Sequence, residues 1–105
     1  MHRQTKFTAI PPKVKRAVAE RDSIDGRCCC ILCGSPNAMP NAHIIRRSQG
    51  GIGVEQNIVT LCGRCHYKLD EGRDRDVLME QVMAYIKAHY PGWTPESVTY
   101  RKWVG

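Results

Sequence analysis

Two Cys-x-x-Cys pairs, Cys30/Cys33 and Cys62/Cys65, enclose His43 and Asn57 and lead directly into His66 and Asp70. Two residues between paired cysteines let both sulfurs face one ion, and four thiolates in a tetrahedron suit zinc. With 28 residues between Cys33 and Cys62, the spacing predicts a structural Zn2+ site that staples the fold. Redox thiols are the alternative, but neither pair sits in an extended parallel βαβ pattern. Cys28 and Cys29 adjoin the first pair, yet only Cys30 completes Cys-x-x-Cys with Cys33. They read as spare thiols, with Cys29 the nearer substitute ligand and the main oxidation hazard. His43 and His66 can do a second kind of chemistry. Hydrolysis of a phosphodiester needs a base to activate water and a Lewis acid to stabilise charge on phosphate and leaving oxygen. Asp70 follows His66 by four residues, so on a helix both side chains leave one face and could share one divalent ion. A carboxylate there favours a harder metal such as Mg2+ or Mn2+. Isolated histidines are more often structural, and His2 and His89 read that way.

The elements that must hold these groups follow from local signals. Asn41 to Ile45 reads as a short strand carrying His43, and Arg46 to Gly53 as a flexible basic loop. Ile58 to Leu61, rich in β-branched residues, reads as the returning strand. A helix should begin near Cys62 or Gly63, run to about Asp70 and end at Gly72. Cys28 to Cys33, followed by Gly34-Ser35-Pro36-Asn37, has the look of a zinc knuckle. Before it, residues 1–11 read as a poorly ordered basic arm. Pro11-Pro12 opens a helix from about Lys13 to Arg21 with Val14, Ala17 and Val18 on one face. Ser23 to Gly26 reads as a turn. After the motif, Asp74 to Tyr90 reads as an amphipathic helix with Val77, Leu78, Val82, Tyr85, Ile86 and His89 on one stripe, stopped by Pro91-Gly92. That stripe predicts packing across the zinc core, or a dimer seam. Trp93, Tyr100 and Trp103 are expected to fold back over this helix.

At 105 residues the chain reads as one domain, small enough to need a brace beyond its core. Its parts are the arm at 1–11, the braced core at 28–72 and the helix at 74–90. No apolar run follows Met1 to Lys6 to suggest a secretory signal, so the expectation is reduced thiols and a cytoplasmic location. No stretch approaches the roughly 20 apolar residues of a membrane span. Net charge is +6, with eleven basic and four acidic residues in 1–68 against five and six in the remainder. Positive charge thus gathers in the half that holds the motif, which suits a nucleic acid partner, although basic surface also simply aids solubility.

The residues Ala42-His43-Ile44-Ile45, Arg47 to Gly51, Glu55 to Cys62 and Cys65-His66 together resemble the HNH endonuclease family. The resemblance spans Cys30 to Gly72 and is closest to short, zinc-braced members encoded by phages and prophages. It implies an α+β fold: a small ββα-metal, treble-clef-like HNH core stapled by four cysteines, with flanking N- and C-terminal helices. It implies a metal-dependent nuclease that hydrolyses or nicks DNA and leaves a 5′-phosphate and a 3′-hydroxyl. By that pattern His43 is the general base, His66 a metal ligand, and Asn57 the residue that shapes the loop and orients the base. The catalytic divalent metal, Mg2+, Mn2+, Ni2+ or Zn2+, would be held by His66 and Asp70, with His43 or Asn57 as alternative ligands. Many family members carry a His or Asp ligand just before the base, where this chain has Ala42. Water, Asn57 or Asn41 is expected to fill that place. Arg46 and Arg47 would grip phosphates, with Arg64 and Lys68 extending the track. Two rivals remain: a non-catalytic zinc-binding module for nucleic acid, and an accessory to a phage terminase or other packaging protein. Either a monomer or a homodimer is compatible with the chain.

Overall fold

The computed structural model describes residues 7–100. Among them are three helices and two small antiparallel sheets. Helix α1 (Pro12–Arg21) starts where expected, since Pro12 has no N–H to lose at the first helical position. The predicted turn after it is the tip of a hairpin, β1 (Ser23–Ile24) with β2 (Arg27–Cys28). Asp25 and Gly26 both take positive φ there, 51° and 80°, the conformation that a two-residue hairpin demands.

The core of the site is β3 (Ala38–His43), β4 (Ile58–Cys62) and α2 (Gly63–Glu71). β3 begins three residues earlier than the sequence suggested and stops at His43. The register pairs Ala38 with Cys62 and Met39 with Leu61, then Ala42 with Val59 and His43 with Ile58, so β3 holds one residue more than β4 opposite Thr60. This bulge falls at Pro40-Asn41, where proline has no donor for the ladder. Thr60 is instead satisfied from elsewhere: its N–H donates to Asp22 Oδ2 at 2.9 Å and its carbonyl accepts from the Ile31 N–H at 3.0 Å. Past the bulge Ala42 points into the core, 1 % exposed, while Asn41 and His43 face outward together.

All five residues of β4 are buried. Packed around it are Val18 of α1, Leu69 of α2, and Val82 and Ile86 of α3 (Arg75–His89). The last three share a cluster with Cys30, Cys62, Cys65 and Trp93, so α3 packs across the cysteine site as the first of its two expected roles. Its stripe is narrower than predicted: Val77 is 54 % exposed and His89 is exposed. Trp93 does fold back, donating its indole N–H to the Gln56 carbonyl at 2.7 Å. Tyr100 stacks on Phe7 rather than on the helix, and Trp103 lies outside the described residues.

Arg21 and Asp22 form the polar centre of the packing. Asp22 accepts from Arg21, Thr60 N and the Tyr85 hydroxyl, while Arg21 also donates to the carbonyls of Glu55 and Ile58 at 2.7 and 2.6 Å. The Asp22 carboxylate is fully buried, and burial, followed by its bond to Asp22, pushes the Tyr85 hydroxyl above the ordinary tyrosine range. A buried charge this well bonded ties α1, β4 and α3 into one unit.

Candidate active site and four-thiol metal site

The Sγ atoms of Cys30, Cys33, Cys62 and Cys65 lie within 4.8 Å of one another. Four bonds of about 2.3 Å in a tetrahedron put sulfurs about 3.8 Å apart, and Cys33 and Cys62 are separated by 3.6 Å. The chemistry and size of the donor set are thus compatible with zinc. Cys62 closes β4 and caps α2, its sulfur accepting from the Cys65 N–H at 3.5 Å. That amide is the main cause lowering the Cys62 thiol to about 7, whereas burial pushes Cys65 well above the usual thiol range. Crowded thiols resist joint ionisation, and a bound dication removes that resistance. Cys28 and Cys29 lie outside the cluster: Cys28 Sγ contacts Thr60 Oγ1 at 3.3 Å and Cys29 Sγ points to the Arg27 carbonyl.

A second cleft, of about 340 Å³, is lined by Asn41, His43, Arg46, Arg47, His66, Asp70 and Glu71. Strand β3 supplies Asn41 and His43, α2 supplies His66 and Asp70, and the intervening loop supplies the arginines. His66 Nδ1 and Asp70 Oδ2 stand 3.5 Å apart, each side chain roughly two-fifths exposed. Two donors bonded to one ion at about 2.1 Å would sit about 3.0–3.4 Å apart, so this pair fits a shared metal after a small closure.

His43 is half-buried. Its Nε2 lies 2.7 Å from the Thr8 carbonyl oxygen, which can only accept. In the neutral ring Nε2 therefore carries the hydrogen, and Nδ1 is the bare nitrogen able to take a proton. Burial, above all, and the charges of Arg47 and His66 hold His43 below the ordinary histidine value of 6.5, against the opposing Thr8 bond. A neutral imidazole at neutral pH is what a base requires.

Asn57 is fully buried and does not line the cleft. Its Oδ1 accepts from Ile45 N at 2.9 Å, and its Nδ2 donates to the carbonyls of Ile45 and Ile52 at 3.2 and 3.0 Å. Its backbone carbonyl accepts from Ile44 N at 2.8 Å. Every polar atom of the amide thus faces backbone, and none of them lines the cleft. Asn57 bonds the backbone of Ile44 and Ile45, next to His43, and the bonds of its side chain do not include the imidazole.

The loop at 46–53, expected to be flexible, is ordered by these bonds. Residues Arg47–Gln49 make a turn of 3-10 helix, and Gly50 closes it at φ 86°. At Gly51 a Cβ would lie 1.7 Å from the Ile45 carbonyl oxygen, so only glycine lets the loop pass. Arg46 donates to the Asp70 carbonyl at 3.0 Å, satisfying one of the open carbonyls at the end of α2 and joining the two walls of the cleft. Arg47 Nε donates to Thr8 Oγ1 at 3.2 Å. Arg64 and Lys68 do not line this cleft. They sit two residues from His66, about 200° around the helix, and line the groove beside Cys33, Cys62 and Cys65.

Two site residues, and one in the polar centre of the packing, escaped sequence reasoning. Glu71 lines the cleft beside Asp70 and was legible only as one more helical carboxylate. Thr8 is 2 % exposed within a segment expected to be a poorly ordered arm. Asp22 gives no sequence signal beyond its place before a turn.

Residues 30–81 match the model of the HNH endonuclease family. The chain is also 41% identical over 44 residues to Anaredoxin from Nostoc sp., a stretch covering 41% of this chain and 58% of that protein. The chain therefore spans little more than half the length of this curated relative. No solved structure matches. With the cleft, the buried asparagine and the thiol site all falling in the matched stretch or on its scaffold, residues 30–81 belong to the HNH endonuclease family.

Proposed function

We propose that the chain is a zinc-braced, metal-dependent endonuclease that hydrolyses or nicks DNA. The observation that carries this reading is the convergence of His43, His66 and Asp70 in one cleft walled by Arg46 and Arg47. His43 Nδ1 takes the proton of the attacking water, its Nε2–H anchored on Thr8. His66 and Asp70 hold the divalent ion, Mg2+, Mn2+, Ni2+ or Zn2+, with Asn41 and Glu71 as the further oxygen donors available in the cleft. When bound, that ion stabilises charge on the phosphate and the leaving oxygen. Arg47 meets the phosphate flanking the scissile bond, and Arg46 keeps the loop closed on α2. Cys30, Cys33, Cys62 and Cys65 hold the structural Zn2+. Contacts of this kind are to the DNA backbone, so sequence preference is weak and affinity falls steeply with salt. A phage or prophage setting, with a packaging terminase as partner, rests on the sequence resemblance alone.

Ala42 favours a second reading. It is buried in the core, so the strand offers no metal ligand immediately before the base. A nucleic-acid-binding module without turnover is the consequence if the remaining donors do not hold a metal. Cleavage of plasmid DNA in Mg2+, Mn2+ or Ni2+, with analysis of the ends, separates the two. The endonuclease leaves 5′-phosphates, and His66→Ala or Asp70→Ala raises the half-saturating metal concentration about tenfold or more. DNA binding without turnover in every metal means the binding module.

A further inference from the structure

We propose that residues 7–10 and 98–100, which flank the HNH stretch, form a clasp that positions the general base. Thr8 supplies the carbonyl that sets the ring tautomer of His43, and Tyr100 holds Phe7, and with it Thr8, in place. The proposal rests on the reading of His43 as the base and adds positioning residues outside residues 30–81.

Two faces of the catalytic loop carry the argument. On one, the Phe7 carbonyl accepts from Gly53 N at 3.0 Å, and the approach is so close that a Cβ on Gly53 would lie 1.9 Å from the Ala9 carbonyl oxygen. On the other, residues 98–100 run antiparallel to 50–52: Ile52 N donates to Val98 O at 2.9 Å, Tyr100 N donates to Gly50 O at 2.7 Å, and Gly51 pairs with Thr99. The two segments then meet each other, the rings of Phe7 and Tyr100 stacking with centroids 4.9 Å apart and planes 13° from parallel. Phe7 is 47 % exposed, so this stack is not the by-product of a deep core. What the arrangement buries is Thr8, whose carbonyl meets His43 Nε2 and whose hydroxyl meets Arg47 Nε. One residue from outside the HNH stretch therefore touches both the base and a phosphate-facing arginine. Loss of the carbonyl lets the ring proton move to Nδ1, and a ring protonated there keeps its one lone pair on Nε2, the nitrogen turned to Thr8.

The test uses the full chain with its four-thiol site metal-loaded. In one protein, assembled by ligation at Cys28, Ala9 is replaced by the corresponding α-hydroxy acid, so that Thr8 carries a weakly accepting ester carbonyl and every side chain stays in place. Tyr100→Ala opens the stack, and Thr8→Ala removes the Arg47 contact while keeping the carbonyl. The readouts are the His43 tautomer from ring nitrogen NMR shifts, without DNA or catalytic metal, and kcat and KM for DNA cleavage. Expected is a shift of about fivefold or more in the tautomer ratio away from Nε2–H in the ester and in Tyr100→Ala, the scale of one lost hydrogen bond. In the ester kcat falls with KM unchanged, in Tyr100→Ala kcat falls, and Thr8→Ala keeps the parental tautomer. An unchanged Nε2–H population in the ester overturns the proposal, and the ester alone decides if Tyr100→Ala fails to fold. Absence of cleavage in the parent refutes the nuclease reading and leaves the tautomer result to judge the clasp.

Discussion

Replacing Asn57 probes the link between the buried loop and the site. The Asn57→Ala chain loses three hydrogen bonds, from Ile45 N and to the carbonyls of Ile45 and Ile52, in a pocket with no access to solvent. At about 1–1.5 kcal/mol each, the loss is about 3–4.5 kcal/mol. That is a large share of the roughly 5–15 kcal/mol that holds a domain together. With a urea dependence of about 1.5 kcal/mol per molar, the midpoint should fall by about 2–3 M. Asn57→Asp is the sharper variant. It keeps the acceptor for Ile45 N but turns an oxygen toward two carbonyls that had been receiving N–H bonds, so it should lose at least as much as alanine. The assay is urea unfolding of metal-loaded protein, followed by circular dichroism. If Asn57 were a metal ligand instead, aspartate would preserve stability and tighten the catalytic metal. A loss below about 1 kcal/mol in Asn57→Ala, or an Asn57→Asp protein with stronger metal binding, refutes the reasoning.

Other consequences are independent of that loop. Mass spectrometry under native conditions should find one ion lost in Cys62→Ser or Cys65→Ser with a collapse of thermal stability, whereas Cys28→Ser and Cys29→Ser keep the metal. Because burial and neighbouring charge lower the His43 pKa, the acid limb of the cleavage rate should fall below pH 6.5. The same shift makes the unfolded chain bind the extra proton first, so His43 costs stability only as pH drops below about 6.5; a limb or a stability loss above 6.5 contradicts this. Arg47→Ala should reduce the slope of log affinity against log salt by about one, measured by fluorescence anisotropy, while Lys68→Ala leaves the cleavage rate unchanged because it faces the thiol groove.

What could be read from the sequence was whatever local spacing encodes. Cys-x-x-Cys pairs, a β-branched run at Ile58 to Leu61, and the four-residue step from His66 to Asp70 each carry their geometry within one element. The missing features depend on partners far along the chain. Thr8 and His43 are 35 residues apart, and nothing near Thr8 announces that its carbonyl meets an imidazole. The bulge at Pro40-Asn41 needs Asp22 and Ile31 to satisfy Thr60, so the strand could not be placed from its own residues. Arg64 and Lys68 line a groove apart from the cleft for a different reason. Basic residues near a motif suggest phosphate contact, but the helical turn sends them to the thiol side.

The most direct test of the account is cleavage of supercoiled plasmid by zinc-loaded protein in Mg2+, Mn2+ or Ni2+, beside His43→Ala under matched metal. The account expects metal-dependent conversion to nicked or linear DNA, reduced by a factor of about a hundred or more in His43→Ala. Cleavage by His43→Ala at the parental rate would contradict it.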